Sequence, residues 1–250
     1  MSSLEARHRQ AQLVVTIVYL GIPLVFLGLT LWISAEADNW QAALIPLALL
    51  AAGWWRRGKS RFKPANWRWA GLTMGGVTAM FTSFYTIVLD SASLALWFLP
   101  IGVGGAIIGA ALAGYGFRQL MSPAIPELAE SPYELSFRMR GLTRLRLSIG
   151  ADQVALHELM VAQSAEGGQT TERDKRYPLT AVTGVHAVEL SGHERLKYPV
   201  PMKLAPASSP GPALILQAQG EDWVLPHDDA PVITEILNRR IATVRSGKSS

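Results

Sequence analysis

The chain has 250 residues, a formal net charge of +4 and a mean hydropathy of +0.20, and only 17% of its residues are charged. Soluble domains carry roughly 25% charged residues, so the deficit points to contact with lipid. With no cysteine in the sequence, disulfides, thiolate nucleophiles and cysteine-ligated zinc or iron–sulfur centres are excluded.

Charge is unevenly spread. Residues 1–117 carry 8 basic and 4 acidic side chains, whereas residues 118–250 carry 15 of each. The basic excess therefore sits beside apolar sequence, where a bilayer surface explains it better than a nucleic acid does.

After a short tail (1–12) containing Arg7 and Arg9 comes an apolar run at 13–34. It is long enough to cross a hydrocarbon core of roughly 30 Å. It exceeds the roughly 7–15 apolar residues of a signal peptide, and Trp32 closes it as an interfacial anchor would. The second run, 40–55, is short and contains Pro46, with Trp40 at one end and Trp54 and Trp55 at the other. Runs at 69–89 and 94–117 follow, separated only by Asp90, Ser91, Ala92 and Ser93.

Orientation follows from the connections. The segment between the second and third runs holds Arg56, Arg57, Lys59, Arg61, Lys63 and Arg68 and no acid; the other two connections hold Glu36, Asp38 and Asp90 and no base. This alternation predicts four transmembrane helices over 13–117, with both termini in the cytoplasm of a multi-pass cell-membrane protein. The six cations also suit an anionic inner-leaflet surface.

No run contains an ionisable residue in its interior, which argues against a proton-coupled carrier or an intramembrane protease. The internal polar groups are hydroxyls (Thr16, Thr30, Thr73, Thr78, Thr82, Ser83 and Thr86), expected to bond back to helix carbonyls. The fourth run presents small residues at Gly102, Gly105, Gly109, Ala110, Ala113 and Gly114. Such a face lets helices approach closely. It serves either packing within one bundle, with Gly71 and Gly75 as the complementary face, or a homo-oligomeric interface.

Three prolines make 118–134 a stiff linker. Beyond it the pattern alternates at period two: Leu135, Phe137 and Met139, then Leu142, Leu145, Leu147 and Ile149. Arg138, Arg140, Arg144 and Arg146 share these segments and are candidates for contact with anionic headgroups. Further strands are expected at 154–161, 177–182, 185–190, 213–219 and 222–225. Residues 165–176 read as a polar hairpin loop and 246–250 as a disordered tail. Asp228 or Asp229 is positioned to cap a final helix whose stripe is Val232, Ile233, Ile236, Leu237, Ile241 and Val244. Arg239, Arg240 and Arg245 complement its dipole.

The segments LRLSIGADQVAL (145–156), RYPLTAVTGVHAVEL (176–190) and DWVLPHDDAPVITEILNRRI (222–241) resemble the bacterial pleckstrin-homology-type domains of small membrane proteins. The tryptophan of their middle motif is replaced here by the Leu179–Thr180 region. The resemblance implies a mainly antiparallel β barrel or sandwich over 135–245, capped by a C-terminal α-helix.

Neither His157-Glu158 nor His193-Glu194 extends to a zinc-protease motif, and no phosphate-binding or nucleophile-elbow motif occurs. No catalytic residue, metal or cofactor is expected. The expectation is a non-enzymatic scaffold or accessory subunit that anchors an interaction domain at the inner membrane face for a protein partner. The alternative is a small oligomeric channel or transporter component assembled through the fourth run.

Overall fold

The computed structural model describes residues 3–37, 43–90, 98–164, 167–191 and 210–247. The chain divides into two compact units, Met1–Ser122 and Pro123–Ser250.

The first unit is helical. Helix α1 (Ser3–Thr16) passes through a π-helical turn (Ile17–Gly21) into α2 (Ile22–Ala37). Helices α3 (Leu44–Ser60), α4 (Trp67–Asp90) and α5 (Phe98–Met121) follow. Among the described residues two stretches are long and apolar enough to cross a membrane, Leu4–Trp32 and Leu99–Met121. These are two of the four crossings expected from the sequence. Helix α3 has 17 residues and ends in basic ones.

The exterior of this unit carries many large apolar side chains, while its interior combines apolar residues with a few hydroxyls. Leu24, Val25, Leu47, Leu99, Val103, Ile107 and Ile108 are exposed, whereas Tyr19, Trp67, Thr30, Thr78 and Ser83 are buried. Hydroxyls bond back as expected at Thr16, Thr30, Thr73 and Ser83, each reaching the carbonyl four residues earlier at 2.6–2.9 Å. Thr78 is the exception: its Oγ1 is buried without a partner. The Thr82 and Thr86 side chains lie outside the described set.

The closest helix contact is α4 on α5. A Cβ at Gly71 would stand 2.1 Å from the Gly109 carbonyl oxygen, and one at Gly75 would stand 2.1 Å from that of Gly105. The reverse additions, at Gly105 and Gly109, collide as severely with the Gly75 and Gly71 carbonyls. Backbone meets backbone along this seam, which only glycine permits.

Among its described residues the second unit has seven antiparallel strands: β1 (Leu135–Met139), β2 (Leu142–Ile149), β3 (Gln153–Ser164), β4 (Gly167–Pro178), β5 (Val182–Leu190), β6 (Gly211–Ala218) and β7 (Glu221–Pro226). They form a four-stranded sheet in the order β1-β2-β3-β4 and a three-stranded sheet in the order β5-β6-β7. Helix α6 (Ala230–Arg245) ends the fold and packs on β5 and β6. Period-two alternation sends Leu135, Phe137, Leu145, Leu147, Ile149, Val154 and Leu156 into the core, where Trp223, Leu225, Ile233 and Leu237 are also buried.

Strand β7 crosses the four-stranded sheet. The side chain of its first residue, Glu221, contacts Lys175 of β4, and the carbonyl of its last residue, Pro226, accepts the N–H of Arg140 just beyond β1 (2.8 Å). Since β4 and β1 are opposite edges, the two sheets pack with crossed strands, as in orthogonal sandwiches. Strands β6 and β7 join through Gln219 (φ 52°) and Gly220 (φ 80°), the left-handed pair that a two-residue hairpin needs.

Three expectations for this unit need correction. Residues 167–176, within the 165–176 stretch read as polar loop, belong to β4, paired with β3 from Gln153↔Pro178 to Ser164↔Gly167. Backbone pairing is indifferent to side-chain polarity once the register is set, and polar sequence hid the strand. The strand expected at 177–182 is instead the end of β4, a 3-10 turn at Leu179–Ala181 and the start of β5. The stiff linker expected over 118–134 starts later, because α5 runs to Met121, and it is packed: a 3-10 turn at Pro126–Glu130 buries Leu128, with Tyr133 also buried. The proline-rich stretch up to 209, the 91–93 connection, His193 and the 248–250 end of the chain lie outside the described residues.

Candidate functional site

In the first unit the cationic segment spans the end of α3, a turn and the start of α4. Trp54, Trp55 and Trp69 are exposed by 67, 64 and 68%, while Trp67 is buried. Lys59 stacks its ammonium 4.1 Å from the Trp55 ring centroid, and the Arg61 guanidinium lies 4.3 Å from that of Phe62. Flat apolar rings with cations above them are the chemistry of a membrane–water boundary, where the ring enters the acyl region and the charge stays with the headgroups. Arg57 differs from its neighbours, being half-buried with its Nε unpartnered. The remaining cations, Arg56, Lys63 and Arg68, occupy the same segment, and the Arg68 side chain lies 3.7 Å from the position of a Cβ at Gly114.

The small-residue face of α5 is occupied within the unit. Gly102 faces Met80, Gly105 faces Gly75 and Ala79, Gly109 faces Gly71, and the Ala113 methyl also lies at Gly71. Ala110 is half-buried beside them.

In the second unit the four arginines near the start of the sheet do not act together. Arg138 and Arg146 stand directly opposite each other on β1 and β2, on the face away from Phe137 and Leu147. The row continues through His157 on β3 to Asp174 on β4. His157 Nδ1 lies 2.7 Å from Asp174 Oδ1, and Arg176 donates to Asp174 Oδ2 at 2.5 Å. These two donors, Arg176 first, hold the Asp174 carboxyl below its ordinary value. Arg140 serves the fold: it donates to Asp228 Oδ1 at 2.6 Å and to the Pro212 carbonyl at 3.2 Å. The Arg144 side chain is outside the described set.

Asp228 is therefore an ion-pair partner. Asp229 occupies the N-cap position of α6 but makes no side-chain capping bond. His227 supplies an imidazole acceptor there instead, its Nδ1 accepting the Asp229 N–H at 2.9 Å. Burial holds His227 below the usual imidazole value.

Two clusters escaped the sequence reading. Glu221 Oε2 accepts from Tyr177 Oη (3.0 Å), from Trp223 Nε1 (3.2 Å) and from Lys175 Nζ, whose ammonium lies 5.9 Å from both ring centroids. The second is Arg240, which was expected to complement the helix dipole. It is 3% exposed and donates to the carbonyls of Leu128, Ala129, Ser131, Tyr133, Ile149 and Gly150 at 2.8–3.2 Å. Its position relative to Ile233, Ile236 and Leu237, at seven, four and three residues, places it on the apolar stripe. That spacing was the available signal.

Among the described residues no group of three His, Asp or Glu side chains is arranged to hold a metal. Comparison of the sequence with family models and with curated proteins finds no match.

Proposed function

We propose that this chain is a four-crossing inner-membrane protein, with both termini in the cytoplasm, whose helical unit anchors a pleckstrin-homology-like interaction domain. The observation that carries this reading is the apolar exterior of the helical unit, on which Leu24, Val25, Leu47, Leu99, Val103, Ile107 and Ile108 are exposed. An exposed tryptophan and cation belt at the α3–α4 connection supports the orientation, because a stacked Lys59 and Arg61 suit the cytoplasmic headgroup layer. A four-stranded and a three-stranded sheet with a terminal helix support the pleckstrin-homology-like reading of the second unit.

The role that fits is an accessory or scaffold subunit rather than an enzyme. Several polar clusters of the second unit are fold-closing contacts between strands, and the exposed Arg138 of β1 is a group that a partner or headgroup could meet. An oligomeric channel built on the α5 glycine face would need a different surface, since α4 already fills that face.

The natural absence of cysteine makes the topology directly testable. Single cysteines at Asp38 and Ser93 are expected to react with a membrane-impermeant maleimide in intact cells. Cysteines at Gly58 and Ser246 are expected to react only after permeabilisation. Labelling of the Gly58→Cys chain in intact cells would overturn the orientation, and recovery of the chain in the salt-washed soluble fraction would overturn the membrane reading.

A further inference from the structure

Arg68 is the second residue of α4, and its side chain crosses to α5. A Cβ at Gly114 would lie 3.7 Å from Arg68 Nε and 3.9 Å from its Cδ and Cγ. The arginine therefore rests on the α5 backbone at a position where that helix has no side chain of its own. Arg118 stands one turn further along the same face of α5, about 6 Å away along the axis. A long side chain on a helix covers the turn N-terminal to its own Cα, which for Arg118 is the turn at Gly114. One guanidinium from each helix thus belongs to the same small area. Both arginines are exposed, and among the described residues neither guanidinium makes a hydrogen bond or an ion pair.

No acid balances them. The acidic residues of the first unit are Glu5, Glu36, Asp38 and Asp90. Asp90 is the one acid on α4 or α5, and it ends α4 roughly 33 Å along the axis from Arg68. Glu5 lies on α1, which meets α5 where Val14 touches Gly116, two residues from Gly114 and so on the far side of the helix. Glu36 and Asp38 belong to the connection assigned to the other side of the membrane. Two neighbouring cations without a counter-charge repel each other, and a shared anion relieves that repulsion.

The surroundings specify which anion. Trp69 and Tyr115, the residues that follow Arg68 and Gly114, are exposed, and amphipathic rings of this kind sit at headgroup level. One turn deeper, exposed Leu72 on α4 and half-buried Ala110 on α5 continue the same two lines into the apolar exterior. Paired cations above apolar surface match a phosphate above an acyl chain.

We infer that Arg68 and Arg118 clamp the phosphodiester of one anionic inner-leaflet phospholipid at the cytoplasmic end of the α4–α5 seam. This rests on the membrane reading above. It goes beyond diffuse attraction to the 56–68 segment, because Arg118 lies outside that segment and Gly114 is part of the site. Arginine forks donate to two phosphate oxygens at once, while the acyl chain runs over Leu72 and Ala110. An ethanolamine headgroup brings an ammonium beside the second guanidinium, so a headgroup without one is preferred. Gly114 gives the site a charge-neutral test. A methyl there makes ordinary contact with Arg68, whereas a larger side chain takes the place Arg68 occupies.

The full-length chain, extracted in mild detergent and stripped of lipid, is titrated by native mass spectrometry with phosphatidylglycerol, phosphatidylethanolamine and inorganic phosphate. The expected result is one phosphatidylglycerol retained per chain in preference to phosphatidylethanolamine, with no displacement by inorganic phosphate. Arg68→Gln and Arg118→Gln each weaken retention about tenfold, the worth of one charge-assisted hydrogen bond. Gly114→Leu weakens it similarly without changing charge. Gly114→Ala, and Arg9→Gln on the exposed part of α1, change it less than about twofold. The two glutamine variants alter exposed side chains and decide the matter if Gly114→Leu fails to fold. Retention unaffected by Arg68→Gln or Arg118→Gln, an equal loss on Arg9→Gln, or parent-like retention by a folded Gly114→Leu chain would each overturn the site. Displacement by inorganic phosphate would overturn it too, by making free phosphate the ligand. A chain that needs detergent yet retains no phosphatidylglycerol removes this site alone. A chain that stays dispersed without detergent removes the membrane reading as well.

Discussion

Arg240 of helix α6 donates from Nη2 to the carbonyl of Tyr133 at 2.8 Å, tying the last helix to the segment that enters the second unit. Five other carbonyls, on 128–131 and at the β2–β3 turn, share the same guanidinium. Burial draws Arg240 down to about 10, which still leaves it charged at neutral pH. Arg240→Met leaves these carbonyls without their donor in a buried site, a loss of about 3–5 kcal/mol. Arg240→Lys restores the charge but supplies only three donors, recovering less than half. Hydrogen exchange of the full chain in detergent, read over 124–133 and 146–153, is expected to rise in both variants and more in Met than in Lys.

The sequence exposed the helices and the strand alternation because both are periodic signals carried by side chains. Leu135, Phe137, Leu145 and Leu147 announce their strands by alternation alone. Strand β4 was hidden because Gly167 to Arg176 is polar, and its identity lies in backbone pairing with β3. The Arg140–Asp228 pair spans 88 residues, and no local pattern encodes such a meeting. Arg240 was legible in principle, since it falls on the apolar stripe of α6, but a charged residue near a helix end is ordinarily attributed to the dipole.

His227 caps α6 through a neutral ring, because Nδ1 can accept the Asp229 N–H only when unprotonated. Burial lowers its folded value beneath the ordinary 6.5. Nearby charges include Asp228, Asp229 and Arg140, and the Phe137 ring meets it edge-on at 5.6 Å. A base with a depressed folded value takes up more protons unfolded than folded. Its contribution to stability is therefore intact above pH 6.5 and diminishes as pH falls through that value, until the folded ring itself titrates. Thermal unfolding of the second unit, followed by exchange over 227–237, is expected to lose stability between about pH 7 and 5. His227→Asn, whose side-chain oxygen can accept the same bond, should flatten that dependence.

The α4–α5 seam tolerates no added atom at Gly109, where a Cβ would meet the Gly71 carbonyl oxygen at 2.0 Å. Gly109→Ala must separate two backbones along the whole contact, at a cost of about 1–3 kcal/mol from overpacking. Gly104→Ala meets nothing within 4 Å and gains from the higher helix propensity of alanine, about 1 kcal/mol. Melting of the detergent-solubilised chain is expected to fall for Gly109→Ala and to hold or rise for Gly104→Ala. Equal melting temperatures would mean that the helices pack by some other surface.

Glu221 joins the two sheets where β7 begins, its Oε2 shared by Lys175, Trp223 and Tyr177, and these donors hold its carboxyl below the ordinary range. The Lys175 ammonium is correspondingly raised, chiefly by Glu221. For a carboxylate with a depressed folded value, the stabilisation is complete above the unfolded value and disappears as pH falls through the folded one. Acid should therefore loosen this corner only below about pH 4.5, separately from the His227 transition above it. Glu221→Gln keeps one acceptor oxygen but removes the charge, so Trp223 loses a strong partner while remaining in the core. Trp223 is the single tryptophan of the second unit, and with the other seven replaced by phenylalanine its fluorescence reports the corner directly. The parent emission is expected to shift to the red below pH 4.5. The Glu221→Gln chain should show a smaller acid shift from a baseline already red-shifted at neutral pH.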